Sequence, residues 1–434
     1  YMVVLRDYIV LFSQSYEDFR QHELESLAIV ERIPLDLSNY DKKVRLGAFS
    51  SPYLLLQLRD DEQAKRLIRY SICSRAIYEL WGASTCYSDL HSQLHQLAPK
   101  LTHPFRNASF KFIVESVNKS HSIQYQLDLI NSFAYFPFEG PISMNNPEQI
   151  YAILEEWDPC IPSTLLRVFL GRQITTSSRH AVGKFDLKKR QYIGNTSMDA
   201  ELSLIAANQA LARKGKLIYD PFVGTGSFLF ACSYYGAMTM GSDIDGRPLR
   251  GRESQSIHSN LEQYDLISKF VDVFIMDFVH SSLRSDLLLD AIICDRKYGV
   301  RAGAKTLRKN IYNESPPKDE SGCYYHLKKN YIPPKKPYPF GDLIVDLMMF
   351  ASDHLITQGR LVFWMPSIKE DEASVNIPQH PNLSLVANSV QCFGKWSRRL
   401  LTYVRKDRTI FNEKVALEKT EDKFREKYFT TKNK

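Results

Sequence analysis

The sequence predicts an α/β domain built on a parallel sheet, preceded by an α+β half. Three observations predict it. After Gly194 the chain alternates regularly between short apolar strands and helices, as a parallel sheet covered on both faces requires. A glycine-rich turn, 220-DPFVGTG-226, sits where the first of these strands passes into a helix. Before Thr175 the alternation is less regular and ends in a polar, basic segment, as expected of a separate unit.

In chain order, the opening strand is 3-VVLRDYIVLF-12, followed by an amphipathic helix near Glu17–Ile29. A strand at Pro52–Leu58 and a helix from Glu62 to Trp81 complete a first α+β unit. The second has helices at Tyr87–Ala98, His121–Ser132 and Pro147–Glu156, with strands 109-SFKFIVESV-117 and 165-LLRVFLGRQI-174. The corresponding domains are 1–82 and 83–174, a basic linker 175–193, and 194–434. In the last domain the strands are 216-KLIYD-220, 238-MTMGSD-243, 270-FVDVFIMD-277, 290-DAIICD-295 and 360-RLVFWM-365, then a terminal pair near Leu385–Phe393 and Leu400–Arg405. Helices at Gly226–Tyr235, Arg247–Tyr264 and Gly341–Leu355 lie between them.

At 434 residues, 44% hydrophobic and 24% charged, the chain has the composition of a globular protein, which excludes global disorder. Its apolar runs, such as 361-LVFWM-365, fall far short of the roughly 18–20 residues that span a bilayer. Seven scattered cysteines without a C-x-x-C pair argue for a reducing, cytoplasmic setting and against a zinc site. The net charge of +7 is unevenly placed. Residues 395–434 carry 13 basic and 6 acidic side chains, and residues 296–340 carry 11 and 3. Arg179–Arg190 adds five basic residues against Asp186. Basic clusters interleaved with Tyr324, Tyr325, Tyr331, Tyr338 and Phe340 suit a polyanion, because cations neutralise phosphates and aromatic rings stack on bases. A solvated surface loop explains any one cluster equally well.

The glycine turn points to a ligand. Gly224 and Gly226 let the backbone approach closely, and ligands of such sheets bind beyond the carboxyl ends of the strands. No Lys-Ser/Thr follows the glycines, which disfavours a phosphate-binding P-loop, and G-x-G-x-x-G is incomplete. Asp243, about 20 residues on, is placed to bind ribose hydroxyls, and Asp277 to receive an adenine amino group. Each aspartate alone also suits a helix N-cap.

These features resemble the S-adenosyl-L-methionine-dependent methyltransferase fold, Rossmann-like and of class I. In 291-AIICDRKYGVRAG-303, Asp295 and Tyr298 match the ends of the Asp/Asn-Pro-Pro-Tyr/Phe motif of amino-directed methyltransferases. With 192-YIGNTSMDAELSLIAANQ-209, 241-GSDIDGR-247 and 395-KWSRRLLTYV-404, nearly the whole chain is similar to the catalytic-subunit family of eukaryotic tRNA (guanosine-10 N2) methyltransferases. The segments 136-FPFEGPISMNNPEQIYAILEE-156 and 168-VFLGRQI-174 resemble its THUMP domain, preceded by a ferredoxin-like unit.

The resemblance implies catalytic roles for Asp295, as acceptor for the target amine, and Tyr298, stacked on the base. It implies cofactor contacts from Thr196, Ser197, Asp220, Phe222, Gly224, Gly226, Asp243, Asp277 and Phe278. S-adenosyl-L-methionine is the implied cofactor. The implied partners are tRNA, met by Arg172, Arg179, Lys184, Lys188, Lys189 and Arg190, and a small zinc-binding activator subunit pairing with the edge strand 270-FVDVFIMD-277. One departure stands out: Arg296 and Lys297 replace the motif's two prolines. A chain that keeps tRNA and cofactor binding but is impaired in transfer is the alternative expectation. A DNA- or protein-directed enzyme fits the N-terminal half less well.

Overall fold

The computed structural model describes residues 5–37, 51–295, 305–307, 318–328, 334–368, 377–393 and 396–407. The chain divides into two compact units, residues 1–181 and 182–434.

The first unit runs β1 (Arg6–Phe12), α1 (Arg20–Glu31), β2 (Tyr53–Leu58), α2 (Asp61–Ile68), β3 (Ser74–Ser84), α3 (Tyr87–Thr102), β4 (Phe110–Val117), α4 (Ile123–Asn131), β5 (Gln149–Trp157) and β6 (Leu165–Thr176). Its strands form one six-stranded sheet in the order β2-β1-β3-β6-β5-β4. Among the described residues, only β4 and β5 pair in parallel. The long strand β3 hydrogen-bonds to β1 on one side and β6 on the other, so position 82 lies within a strand shared by the two halves of the sheet.

Two segments expected as helix are extended. The helix expected over 62–81 stops at Ile68, and β3 begins at Ser74. Its stop has a tertiary cause. The fully buried carboxylate of Glu23 accepts from Ser71 Oγ at 2.7 Å, Ile72 N at 2.9 Å and Cys73 N at 2.8 Å, taking up the amides there. The helix expected over 147–156 is β5. Here Tyr151 to Leu154 are all fully buried between β4 and β6, which erases the alternation that marks a half-exposed strand.

In the second unit, α5 (His180–Lys184), which begins in the first, and α6 (Ala200–Gln209) lead into β7 (Leu217–Asp220), α7 (Ser227–Tyr234), β8 (Met238–Asp243), α8 (Gly246–Arg250), α9 (Ile257–Gln263) and β9 (Phe270–Ile275). Then follow β10 (Leu289–Cys294), β11 (Lys305–Leu307), β12 (Lys335–Pro337), α10 (Phe340–His354), β13 (Leu355–Ile368), β14 (Leu383–Phe393) and β15 (Trp396–Arg405). Seven of these strands form a sheet in the order β14-β15-β13-β10-β7-β8-β9, with β13 to β9 parallel and β14 and β15 antiparallel. The fold is thus the expected α/β class, with the expected terminal antiparallel pair.

The single helix expected over 247–264 is broken at Gly251, whose φ of 76° no ordinary helix accommodates. Tyr219, Ile292, Leu347, Phe363 and Leu401 bring the central strands and α10 into one core. The strand order reverses beside β7, whose neighbours β8 and β10 lie on opposite sides. A crevice therefore opens at the carboxyl ends of β7 and β10, where open α/β sheets hold ligands. Among the described residues, no helix is long and apolar enough to cross a membrane.

Candidate active site

The glycine turn follows β7 at that crevice. Gly224 has φ 52° and Gly226 φ 87°, torsions costly for any residue with a Cβ. A Cβ on Gly226 would lie 3.0 Å from the Phe230 ring, so this glycine lets the turn close onto α7. Among the described residues, a Cβ on Gly224 would meet nothing nearer than 3.9 Å. Gly241 of β8 has a further role: its Cβ would lie 2.9 Å from Val223, which packs across the strand.

Three acids end adjacent strands here. Asp220, at the end of β7, is buried and accepts from Phe222 N at 2.9 Å. Burial raises its pKa well above the ordinary aspartate value, and the carboxylates of Asp243 and Asp295 push the same way. Asp243, at the end of β8, accepts from Gly224 N at 3.0 Å and Asp245 N at 2.8 Å. It thereby ties the glycine turn to the neighbouring strand. Asp295 follows β10, and its carboxylate lies 4.0 Å from Arg398 of β15. Tyr298, Arg296 and Lys297 lie outside the described residues.

Asp277 and Phe278 follow β9. The Asp277 carboxylate is already well supplied with donors: His280 Nδ1 at 2.7 Å, Thr306 Oγ1 at 2.9 Å and Leu307 N at 3.0 Å all reach Oδ2. Thr306 and Leu307 belong to a two-stranded ribbon, β11 with β12, whose Lys335 donates to the carbonyl of Ile244 at 2.7 Å. The ribbon thus reaches the loops after both β8 and β9. Phe278 is buried between Phe222 and Phe350, with ring centroids 5.3 and 5.0 Å away. On the other side, Ser197 Oγ accepts from Gly194 N and lies 2.8 Å from Thr225 Oγ1 of the glycine turn, while Thr196 is exposed. The structure therefore gathers Ser197, Asp220, Phe222, Gly224, Gly226, Asp243 and Asp295 around one end of the sheet.

Sequence reasoning missed the ribbon, Thr225 and Arg398. Thr225 stood in the quoted glycine motif, and Arg398 in 395-KWSRRLLTYV-404. The ribbon left no such signal, because two three-residue strands separated by 27 positions have no readable periodicity.

The basic residues divide. Arg172 is buried, paired with Asp61 at 2.6 Å and Glu79 at 2.9 Å, with its guanidinium over the Phe105 ring. Arg190 is also buried, donating to Ser227 Oγ at 2.9 Å and lying over Phe230, and burial pulls its pKa down. Neither presents its charge to solvent, contrary to the expectation of an RNA-facing role. Arg179 donates to the carbonyl of Ile72. Lys189 donates to the carbonyl of Gly183, and Lys184 lies over Phe185 and Tyr234. Lys188 and Lys189 are exposed.

Comparison with known proteins gives a consistent set. Residues 6–179 match the family described as the Tmrp11 THUMP N-terminal domain. The tRNA (guanine(10)-N(2))-methyltransferase of Saccharomyces cerevisiae is 39% identical over 99% of this chain and 100% of its own length. The protein of that name from Schizosaccharomyces pombe is 40% identical over 98% of this chain and 96% of its own. The human counterpart is 31% identical, with the same two coverages. Among solved structures, TrmN from Thermus thermophilus aligns with 92% of this chain and 99% of its own at 14% identity and a TM-score of 0.43.

Proposed function

The chain belongs to the tRNA (guanine(10)-N(2))-methyltransferase family, and from that premise we propose that it methylates the exocyclic N2 amine of guanosine 10 in tRNA, with S-adenosyl-L-methionine as donor. One observation carries the reading: Asp220, Asp243 and Asp295 end three adjacent parallel strands around a glycine turn, with no described residue crowding Gly224. When bound, the cofactor supplies a methyl group activated by its sulfonium.

The chain's own residues do the rest. Asp243 accepts ribose hydroxyls while holding the Gly224 amide. Gly224 admits the ligand's close approach. Asp220 and Phe222 line the methionine end, and Phe278 offers an apolar surface to the adenine. Asp277 gives Oδ2 to His280 and the ribbon, and its Oδ1, which accepts from Val279 N at 3.4 Å, faces the adenine end. Thr196 and Ser197 form the upper wall. The guanine amine is a weak nucleophile because its lone pair is delocalised into the ring. Asp295 accepts one of its hydrogens, which turns the lone pair towards the methyl group and stabilises the positive charge that develops on nitrogen. Tyr298 stacks on the base and holds it at attack distance. The base must leave its stack to reach the crevice.

Of the six basic residues expected to meet tRNA, Lys184, Lys188 and Lys189 are exposed and able to meet its phosphates. The edge of the sheet supports a further partner. β9 ends the seven-stranded sheet, with Val271 51% and Ile275 57% exposed and Val273 between them. An open apolar edge is a pairing site, and the small zinc-binding activator subunit adds a strand there. The competing cover, the chain's own basic tail, falls on residues 408–434, outside the described residues.

Single-turnover methylation of unmodified tRNA tests the activity, with the product nucleoside identified by mass spectrometry. N2-methylguanosine at position 10 is the expected product. The same assay on a chain carrying Arg296→Pro and Lys297→Pro measures what the departure from the motif does to the rate. Absence of methylguanosine from both chains refutes the reading.

A further inference from the structure

Arg398 is held at the crevice by more constraints than a surface arginine needs. It lies on β15 between Pro366 of β13 and Gln391 of β14. Its guanidinium sits 4.4 Å above the buried Trp364 ring and 5.4 Å from Phe393, which itself stacks on Trp396. Its Nε donates to Gln391 Oε1 at 2.7 Å. Ring and amide together fix the plane of the fork. From that fixed plane Nη1 reaches within 4.0 Å of the Asp295 carboxylate, and the two side chains are only 15% and 19% exposed.

Arg398 sets a positive charge beside an acid in an acidic crevice. That crevice already holds the carboxylates of Asp220 and Asp243, and burial with like charge drives Asp220 towards its protonated form. A protonated carboxyl turns one oxygen into a donor and ceases to be a dependable acceptor for an amine hydrogen. An opposite charge within about 4–6 Å favours the ionised form. The 4.0 Å separation is longer than a hydrogen bond, so the contact is Coulombic.

We propose that Arg398 is a positioning residue for methyl transfer: packed on Trp364 and tied to Gln391, it holds Asp295 ionised and oriented as the acceptor for the target amine. This rests on the methyltransferase reading above. Arg398 acts through Asp295, not by binding tRNA or cofactor, so its loss falls on the chemical step.

The test uses the full chain with unmodified tRNA. Arg398→Leu removes the charge and keeps an apolar contact with Trp364; Arg398→Lys restores a charge without the fork. Misplacement of a reacting group by about 1 Å costs about 100-fold, so Arg398→Leu is expected to lower the single-turnover rate by about 10- to 100-fold. Affinities for tRNA and S-adenosylhomocysteine should stay at wild-type values, and Arg398→Lys should recover part of the rate. In an Asp295→Asn background, Arg398→Leu should cause no further loss, because both changes disable one device. Should Arg398→Leu not fold, Arg398→Gln takes its place. A wild-type rate in the charge-free variant, a loss confined to tRNA or cofactor affinity, or full additivity with Asp295→Asn overturns the inference. A wild-type chain without turnover defeats the methyltransferase reading itself, and this inference with it.

Discussion

Replacing Asp243 by alanine should weaken cofactor binding more than tRNA binding. The structure shows one task for this side chain, and the proposed function adds a second. It already accepts from Gly224 N at 3.0 Å and Asp245 N at 2.8 Å, so it shapes the glycine turn. A carboxylate oxygen accepts more than one hydrogen bond, and the proposed second task is to receive ribose hydroxyls. A hydrogen bond to a charged group contributes about 1.5–3 kcal/mol, so losing one such contribution weakens affinity about 10- to 150-fold. Disorder in the turn adds to that loss. Asp243→Asn keeps one acceptor oxygen but sets an amide N–H against a backbone N–H, and should fall between wild type and Asp243→Ala. Calorimetry with S-adenosylhomocysteine measures the effect, and tRNA binding to the same preparations is the control. An unchanged dissociation constant for S-adenosylhomocysteine in Asp243→Ala removes this residue from the site and refutes the reasoning.

Asp220 makes stability depend on pH. Burial raises its pKa in the folded chain, so between the unfolded and folded pKa values the folded state binds more protons, and stability falls as pH rises through that window. Asp220→Asn cannot ionise and keeps an acceptor for the Phe222 amide, so its melting temperature should fall less than wild type as pH rises above about 4, the ordinary aspartate value. Parallel melting curves for the two proteins would exclude this account. At the sheet edge, Val271→Lys should change the stability of the lone chain by no more than about 0.5 kcal/mol, because the side chain is 51% exposed. It should nevertheless abolish co-purification with the activator subunit, and a complex that survives the change counts against strand addition at β9.

The residues themselves show where sequence patterns suffice. Strands β7, β8, β9 and β10 were legible because each is a short apolar run ending in or just before an acid. The glycine turn was legible because Gly224 and Gly226 occupy torsions that few other residues tolerate. Local chemistry dictates both features, so the fold class and the acids around the candidate site were readable without a structure. The segments 74–84 and 149–157 were not. Their extended form depends on the Glu23 carboxylate, 48 positions before Ser71, and on burial between two strands distant in sequence.

Charge was the least legible property. A sequence shows that Arg172 and Arg190 are cations, but not that Asp61 and Glu79 neutralise the one and that Ser227 and Phe230 enclose the other. The sequence by itself determined the strand-turn-helix unit of the site and the order in which its acids appear. Tertiary structure alone decided which acids share a crevice, which arginine faces Asp295, and which cations remain available to a polyanion. The physical reason is range. Turn torsions and hydrophobic periodicity act between neighbours in the chain, whereas burial and Coulomb interactions act between neighbours in space.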